Sequence, residues 1–135
     1  MAGKYITISP DGKVEIKEAK PEHGNKPRLE FVQGLVGGFV ERVPLDNLED
    51  RFIDMYGDEE ALIKANPVFN KVATDFDNRC IGFDGFHLCG SFAFVAYADD
   101  KDGNTDWAWL DEKQVTTVMQ DFGLASIAAE NERSK

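Results

Sequence analysis

Residues 4–9 read Lys-Tyr-Ile-Thr-Ile-Ser, residues 13–17 read Lys-Val-Glu-Ile-Lys, and Pro10-Asp11-Gly12 stands between them. Both runs alternate and are β-branched, which is the period of a strand with one face turned inward. Pro-Asp-Gly supplies the fixed φ and the turn-forming residues that reverse a chain. The pattern predicts a β-hairpin at the N-terminus. A lone hairpin is marginal in water, so further strands and helices have to cover its apolar face.

The remaining sequence offers both. Ser91-Phe92-Ala93-Phe94-Val95-Ala96-Tyr97 reads as an aromatic strand, residues 99–106 as a polar hairpin loop, and Trp107-Ala108-Trp109-Leu110 as its partner. Phe39-Val40-Glu41-Arg42-Val43 and Arg51-Phe52-Ile53-Asp54-Met55-Tyr56 read as two more strands. Leu29, Val32 and Val36 follow helical spacing with Phe31 and Leu35 beside them, and Gly37-Gly38 should stop that helix, because glycine accepts the left-handed cap conformation. Asp111 with Gln114 three residues on forms a capping-box variant ahead of the stripe Val115, Val118, Met119 and Phe122, with Gly123 as the expected stop. Residues 19–27 are a polar loop. Residues 58–65 read as a turn or helical segment opening with acids, and Asn66-Pro67 as a break before a helical stretch through Thr74.

The expectation is an α+β fold: one domain over residues 1–123 and a C-terminal tail, residues 124–135, in which the periodicity lapses. An antiparallel or mixed sheet would carry the helices over Leu29–Val36 and residues 112–122 packed on one apolar face. The expected core is Ile6, Ile8, Val36, Phe39, Val43, Phe92, Phe94, Val95, Val115, Val118 and Phe122.

Charge narrows the partners. Twenty-five acids stand against 15 bases, a net charge of -10. Residues 1–28 hold six bases and four acids, residues 29–79 five and 11, and residues 80–135 four and 10. Nucleic acid and anionic membranes are poor partners for such a chain, since binding either needs a basic surface that releases counterions. A basic protein surface fits better. No apolar run approaches the about 18 residues of a membrane span, and the N-terminus lacks a signal-peptide core, so the expected location is the cytoplasm. Cys80 and Cys89 are expected there as reduced thiols.

No catalytic, cofactor-binding or metal-ligating residue is expected. Phosphate-binding glycine motifs and G-x-S-x-G are absent, and Gly34-Leu35-Val36-Gly37-Gly38 leads out of a helix rather than into one. Cys80, Asp84, His87 and Cys89 offer zinc-ligating atoms without the paired knuckles of a structural site. Asp100, Asp102, Asn104, Asp106 and Asp111 match positions of a calcium loop, but Thr105 occupies the position that needs glycine. His23 sits in a polar loop without an evident partner.

Val36-Gly37-Gly38-Phe39-Val40-Glu41 resembles the V-G-G-[YF]-[IV]-E signature of a family of small proteins of unknown function from bacteriophages, other mobile elements and some bacteria. Asp58-Glu59-Glu60 is similar to that family's acidic segment, Asn66-Pro67 followed by Ala73-Thr74 to its N-P-x-A-T segment, and residues 88–95 to its glycine-led terminal strand. The resemblance spans roughly residues 4–115 and implies an accessory protein working inside a bacterial host cell, without an activity to transfer.

The expected function is accordingly non-enzymatic: an acidic protein that binds a host protein at a basic surface, in the sharpest form one that otherwise holds nucleic acid. Glu49, Asp50, Asp54, Asp58, Glu59 and Glu60 are the candidate partner-binding residues, and Gly37 and Gly38 the structural turn. Two other classes compete, a metal-assisted hydrolase built on the carboxylates of residues 58–60 or His87, and a self-assembling or virion-associated protein using aromatic edge strands. Nothing in the sequence specifies an oligomeric state.

Overall fold

The N-terminal hairpin forms as its pattern requires. In a computed structural model that describes residues 3–43, 51–58, 69–81, 88–99 and 101–133, and their side chains except those of 77–81 and 124–133, β1 (Lys4–Ile8) pairs with β2 (Val14–Glu18). The register runs from Lys4 opposite Glu18 to Ile8 opposite Val14. At the turn the Gly12 amide donates to the Ser9 carbonyl at 2.8 Å and the Ser9 amide to the Lys13 carbonyl at 2.9 Å.

The helix over Leu29–Val36, α1, has the expected bounds, and Gly37 caps it with φ 84° while its amide donates to the Gln33 carbonyl at 2.8 Å. Gly38 is needed for a different reason. A Cβ there would lie 2.6 Å from Asp58 Oδ1, so any side chain at this position would have to displace the buried Asp58 carboxylate.

The other strands among the described residues are β3 (Val40–Val43), β4 (Ile53–Asp58), β5 (Phe92–Asp99) and β6 (Thr105–Ala108), and every pairing among them is antiparallel. β5 is central. Its run Phe-Ala-Phe-Val-Ala is buried on both faces, as a continuous apolar strand must be. The order is β2-β1-β5-β4-β3, with β6 also paired to β5. β1 takes the first half of β5 (Ile6 opposite Phe94) and β6 the second (Ala96 opposite Ala108), so the two follow one another along the same edge. Lys4 and Leu110 close the junction through two backbone bonds of 3.1 and 2.8 Å.

Each face of the sheet is covered. Ile6, Ile8, Ile53, Met55, Phe92 and Phe94 meet α2 (Lys71–Ile81) and α3 (Glu112–Arg133) through Phe76, Val115, Val118 and Phe122. The rings of Phe76, Phe94 and Phe122 lie within 4.4 to 5.7 Å of one another, centroid to centroid. Tyr5, Tyr56 and Val95 point the opposite way and hold Val32 of α1. Two helices therefore share one face, but they are α2 and α3. The helix over Leu29–Val36, read as one of that pair, lies on the other side, because β-strand alternation sends Tyr5, Tyr56 and Val95 there and they need cover.

Three further expectations are corrected. Gly123 does not stop α3, which continues to Arg133; it is not in the left-handed conformation, and an interior glycine costs only about 1 kcal/mol against alanine. Phe39 is not in the core but 60% exposed, since it falls between the cap of α1 and the first paired residue of β3, where no register turns it inward. The fourth strand starts at Ile53 rather than Arg51, because Phe52 takes φ 59° and breaks the extended run. The helical stretch through Thr74 is the start of α2, whereas residues 59–65 and Asn66-Pro67 lie outside the described residues. No helix among the described residues is long and apolar enough to cross a membrane.

Asn70 fastens these parts together. Its side chain is fully buried, its Oδ1 accepts the Ala73 amide at 3.0 Å as the N-cap of α2, and its Nδ2 donates to the Ser9 carbonyl at 2.9 Å and the Gly90 carbonyl at 2.8 Å. The Asn70 amide donates to the Leu88 carbonyl, and Thr74 Oγ1 accepts the Leu88 amide. One amide thus ties the first hairpin, the entry to β5 and the start of α2. Replacing it with alanine leaves buried backbone groups unpaired, and Asn70→Ala should lose about 2 to 4 kcal/mol in urea unfolding. An unchanged midpoint and slope would show that water replaces all three bonds.

Candidate functional site

On the α1 side of the sheet a groove of about 620 Å³ opens between the start of α1 and the β4, β5 and β6 strands. Its floor is a chain of polar contacts. Arg42 and Tyr56 are opposite one another across β3 and β4, and Asp54 is two residues before Tyr56 on the same face. Arg42 Nε donates to Asp54 Oδ1 at 3.0 Å, the Tyr56 hydroxyl donates to Asp54 Oδ2 at 2.9 Å, and Trp107 Nε1 donates to the Tyr56 oxygen at 2.8 Å. The Tyr56 and Trp107 rings meet edge to face, 5.2 Å apart. Asp54, only 8% exposed, is a buried carboxylate with a cation and a phenol on its two oxygens.

Burial pushes the Tyr56 phenol up from 10.0 to about 12; the Asp54 carboxylate adds to the rise, and the Trp107 N–H and Arg42 oppose it. At neutral pH Tyr56 is therefore protonated, donating to Asp54 and accepting from Trp107. Its work is to hold the Trp107 ring and the Asp54 carboxylate in place.

The rim is charged. Lys26 pairs with Asp106, which holds the Asp106 carboxyl below its usual range. Beside it lies an aromatic cluster in which Phe31 meets Tyr5 at 5.1 Å and Trp109 at 5.4 Å, and Trp109 Nε1 donates to the Gly24 carbonyl at 3.1 Å. His23 belongs to this cluster and is not without a partner: its Nδ1 accepts the Lys20 amide at 3.0 Å and its ring stands 4.6 Å from Phe31. The pairing was hidden because it depends on a 3-10 turn at Pro21–His23 inside a segment read as a loop.

Of the six carboxylates named as partner-binding, Asp54 and Asp58 are described. They stand four residues apart on β4, both buried, Asp54 in the polar chain above and Asp58 against Gly38. Glu49, Asp50, Glu59 and Glu60 lie outside the described residues, as do Asp84, His87 and Asp100. Cys89 is a buried free thiol, and Cys80 lies in the last turn of α2. Among the described residues no group of three histidine, cysteine, aspartate or glutamate side chains comes together to hold a metal ion. Residues the sequence reading did not single out are Asn70, Tyr56 and Trp107. Asn70 had a signal, its place three residues before Ala73 at cap spacing, whereas Tyr56 and Trp107 meet across 51 positions of chain.

The stability contributed by Tyr56 has a defined pH window. A phenol held up to about 12 when folded and near 10 when unfolded contributes fully below pH 10 and loses that contribution as pH climbs toward 12, because the unfolded chain releases its proton first. Urea unfolding at about pH 9 and about pH 11 should show this fall, and Tyr56→Phe should make it shallower. An equal fall in both proteins would remove Tyr56 as its source.

A family model described as Domain of unknown function (DUF3846) matches residues 3–123, a span that takes in the six strands of the described residues. No curated protein and no solved structure matches the chain.

Proposed function

Since the chain belongs to the DUF3846 family, whose function is unknown, we propose a function from its own surface: it is a non-enzymatic protein that docks an acidic exterior on a basic surface of a protein partner. The observation that carries this reading is the excess of 25 acids over 15 bases, a net charge of -10. Several bases are tied up internally, with Lys4 holding Glu112, Lys26 holding Asp106, Arg42 holding Asp54 and Lys71 holding Asp75. Exposed acids outside these ion pairs gather at one end of the sheet, where Asp99 and Asp102 line the β5–β6 hairpin and Asp111 precedes α3. With Asp54 and Asp58 turned to internal partners, this end is the better docking surface.

The resemblance carried by Val36–Glu41 adds the setting: an accessory protein of phage or mobile-element type in a bacterial host cell, whose partner's basic surface otherwise holds nucleic acid. A second reading, self-assembly, draws on Ile16, which is exposed on the outer strand β2, and on Phe39 beside the other outer strand, β3.

Affinity capture from bacterial lysate tests the first reading. A partner retained at about 0.05 M salt should be released at about 0.5 M, because screening shortens the reach of exposed charges to a few ångströms. A partner indifferent to salt, or a purified protein that consumes a substrate with no partner present, would contradict it. Sedimentation separates the second reading, which predicts association that grows with concentration.

A further inference from the structure

A second groove, of about 470 Å³, lies at the acidic end of the sheet, lined among others by Phe52, Ala96, Tyr97, Asp99, Asp111 and Gln114. Among the described residues its charged lining residues, Asp99 and Asp111, are both acids, and Arg51, next to Phe52 in the chain, is not in the lining. Asp99 Oδ1 accepts one bond from Thr105 at 2.7 Å, and Asp111 Oδ1 accepts the Gln114 amide at 2.7 Å. Each carboxylate has a second oxygen to offer a ligand.

Three aromatic residues, Phe52, Tyr97 and Trp109, form most of the apolar part, with alanines beside them. Phe52 and Tyr97 meet edge to face with centroids 5.4 Å apart, and Phe52 is 52% exposed. The placement of Phe52 is held firmly. It takes φ 59°, a conformation that glycine or asparagine adopts at lower cost. Its carbonyl accepts the Tyr97 amide at 3.1 Å, and Gln114 Nε2 donates to the carbonyls of Arg51 and Phe52 at 3.1 and 3.3 Å. A large ring is thus fixed in solvent at a position where a smaller residue would suit the backbone better.

Aromatic faces beside carboxylates, in a chain with 25 acids against 15 bases, are complementary to one kind of group. A guanidinium is planar, stacks on aromatic rings and pairs with carboxylates through a fork of N–H donors, which an ammonium does not match. We propose that this groove receives an arginine side chain of a basic protein segment, stacked on Phe52 and paired with Asp99 and Asp111. The proposal deepens the docking function above and rests on it: charge brings the partner to this end of the sheet, and the groove selects the side chain that enters.

Fluorescence anisotropy with a labelled oligo-arginine peptide at low salt tests it, with oligo-lysine of equal length alongside. Phe52→Asn removes the ring, keeps the charge and suits the backbone conformation; Asp99→Asn keeps an acceptor for Thr105; Glu22→Gln, on the exposed 3-10 turn and not among the groove's lining residues, removes one charge elsewhere. Each of the first two should weaken oligo-arginine binding about tenfold, Glu22→Gln should change it little, and oligo-lysine should bind more weakly than oligo-arginine. If Phe52→Asn and Asp99→Asn bind as the parent does, or if oligo-lysine binds equally well, the groove proposal falls while salt-sensitive binding by the parent upholds the docking surface. If the parent binds neither peptide, both fall.

Discussion

A single buried amide sets the arrangement on which the rest depends. Asn70 accepts from the start of α2 and donates to the carbonyls of Ser9 and Gly90, so the first hairpin, the strand β5 and the helix that covers them are held to one another by directional bonds. Hydrophobic burial alone would bring Phe76 over the sheet, since burial is indifferent to direction. The amide specifies where it stops. With Phe76 in place, Phe94 and Phe122 complete a three-ring contact, and α3 has a defined seat.

The opposite face is governed by polar bonds between distant strands. Arg42, Asp54, Tyr56 and Trp107 join β3, β4 and the β5–β6 hairpin in one series, each group satisfied by the next. A buried carboxylate without Arg42 would be costly, and the phenol is held protonated well above neutral pH, where it keeps its bond to Asp54. The β5–β6 hairpin carries its exposed aspartates on strands that Trp107 joins to this series.

Much of the architecture was legible in local pattern. The Pro10-Asp11-Gly12 hairpin, the bounds of α1, the left-handed Gly37 and the reciprocal bonds of Asp111 and Gln114 all follow from interactions within four or five residues, and sequence spacing encodes those directly. What escaped is what distance decides. α1 covers the face opposite α3 because alternation along β1, β4 and β5 leaves Tyr5, Tyr56 and Val95 pointing that way, a fact visible only once the strands are in register. Phe52 interrupts its strand because Gln114 and Tyr97, far along the chain, bind its carbonyl. Asp54 and Asp58 looked like surface charge in an acidic stretch, yet each faces inward, one toward Arg42 and one toward Gly38. Gly123 misled for the converse reason: a helix stop needs the left-handed conformation, and the residue alone does not impose it.

The central claim is that the chain acts by receiving a basic partner at the β5–β6 end of its sheet, next to the start of α3. Amide chemical-shift mapping during titration with oligo-arginine addresses this most directly, because it reports the whole backbone at once. The account predicts perturbed amides concentrated at residues 51–52, 96–99 and 108–114, with the hairpin of β1 and β2 silent. Perturbation spread evenly over the acidic surface, or centred on the groove beneath α1, would contradict it.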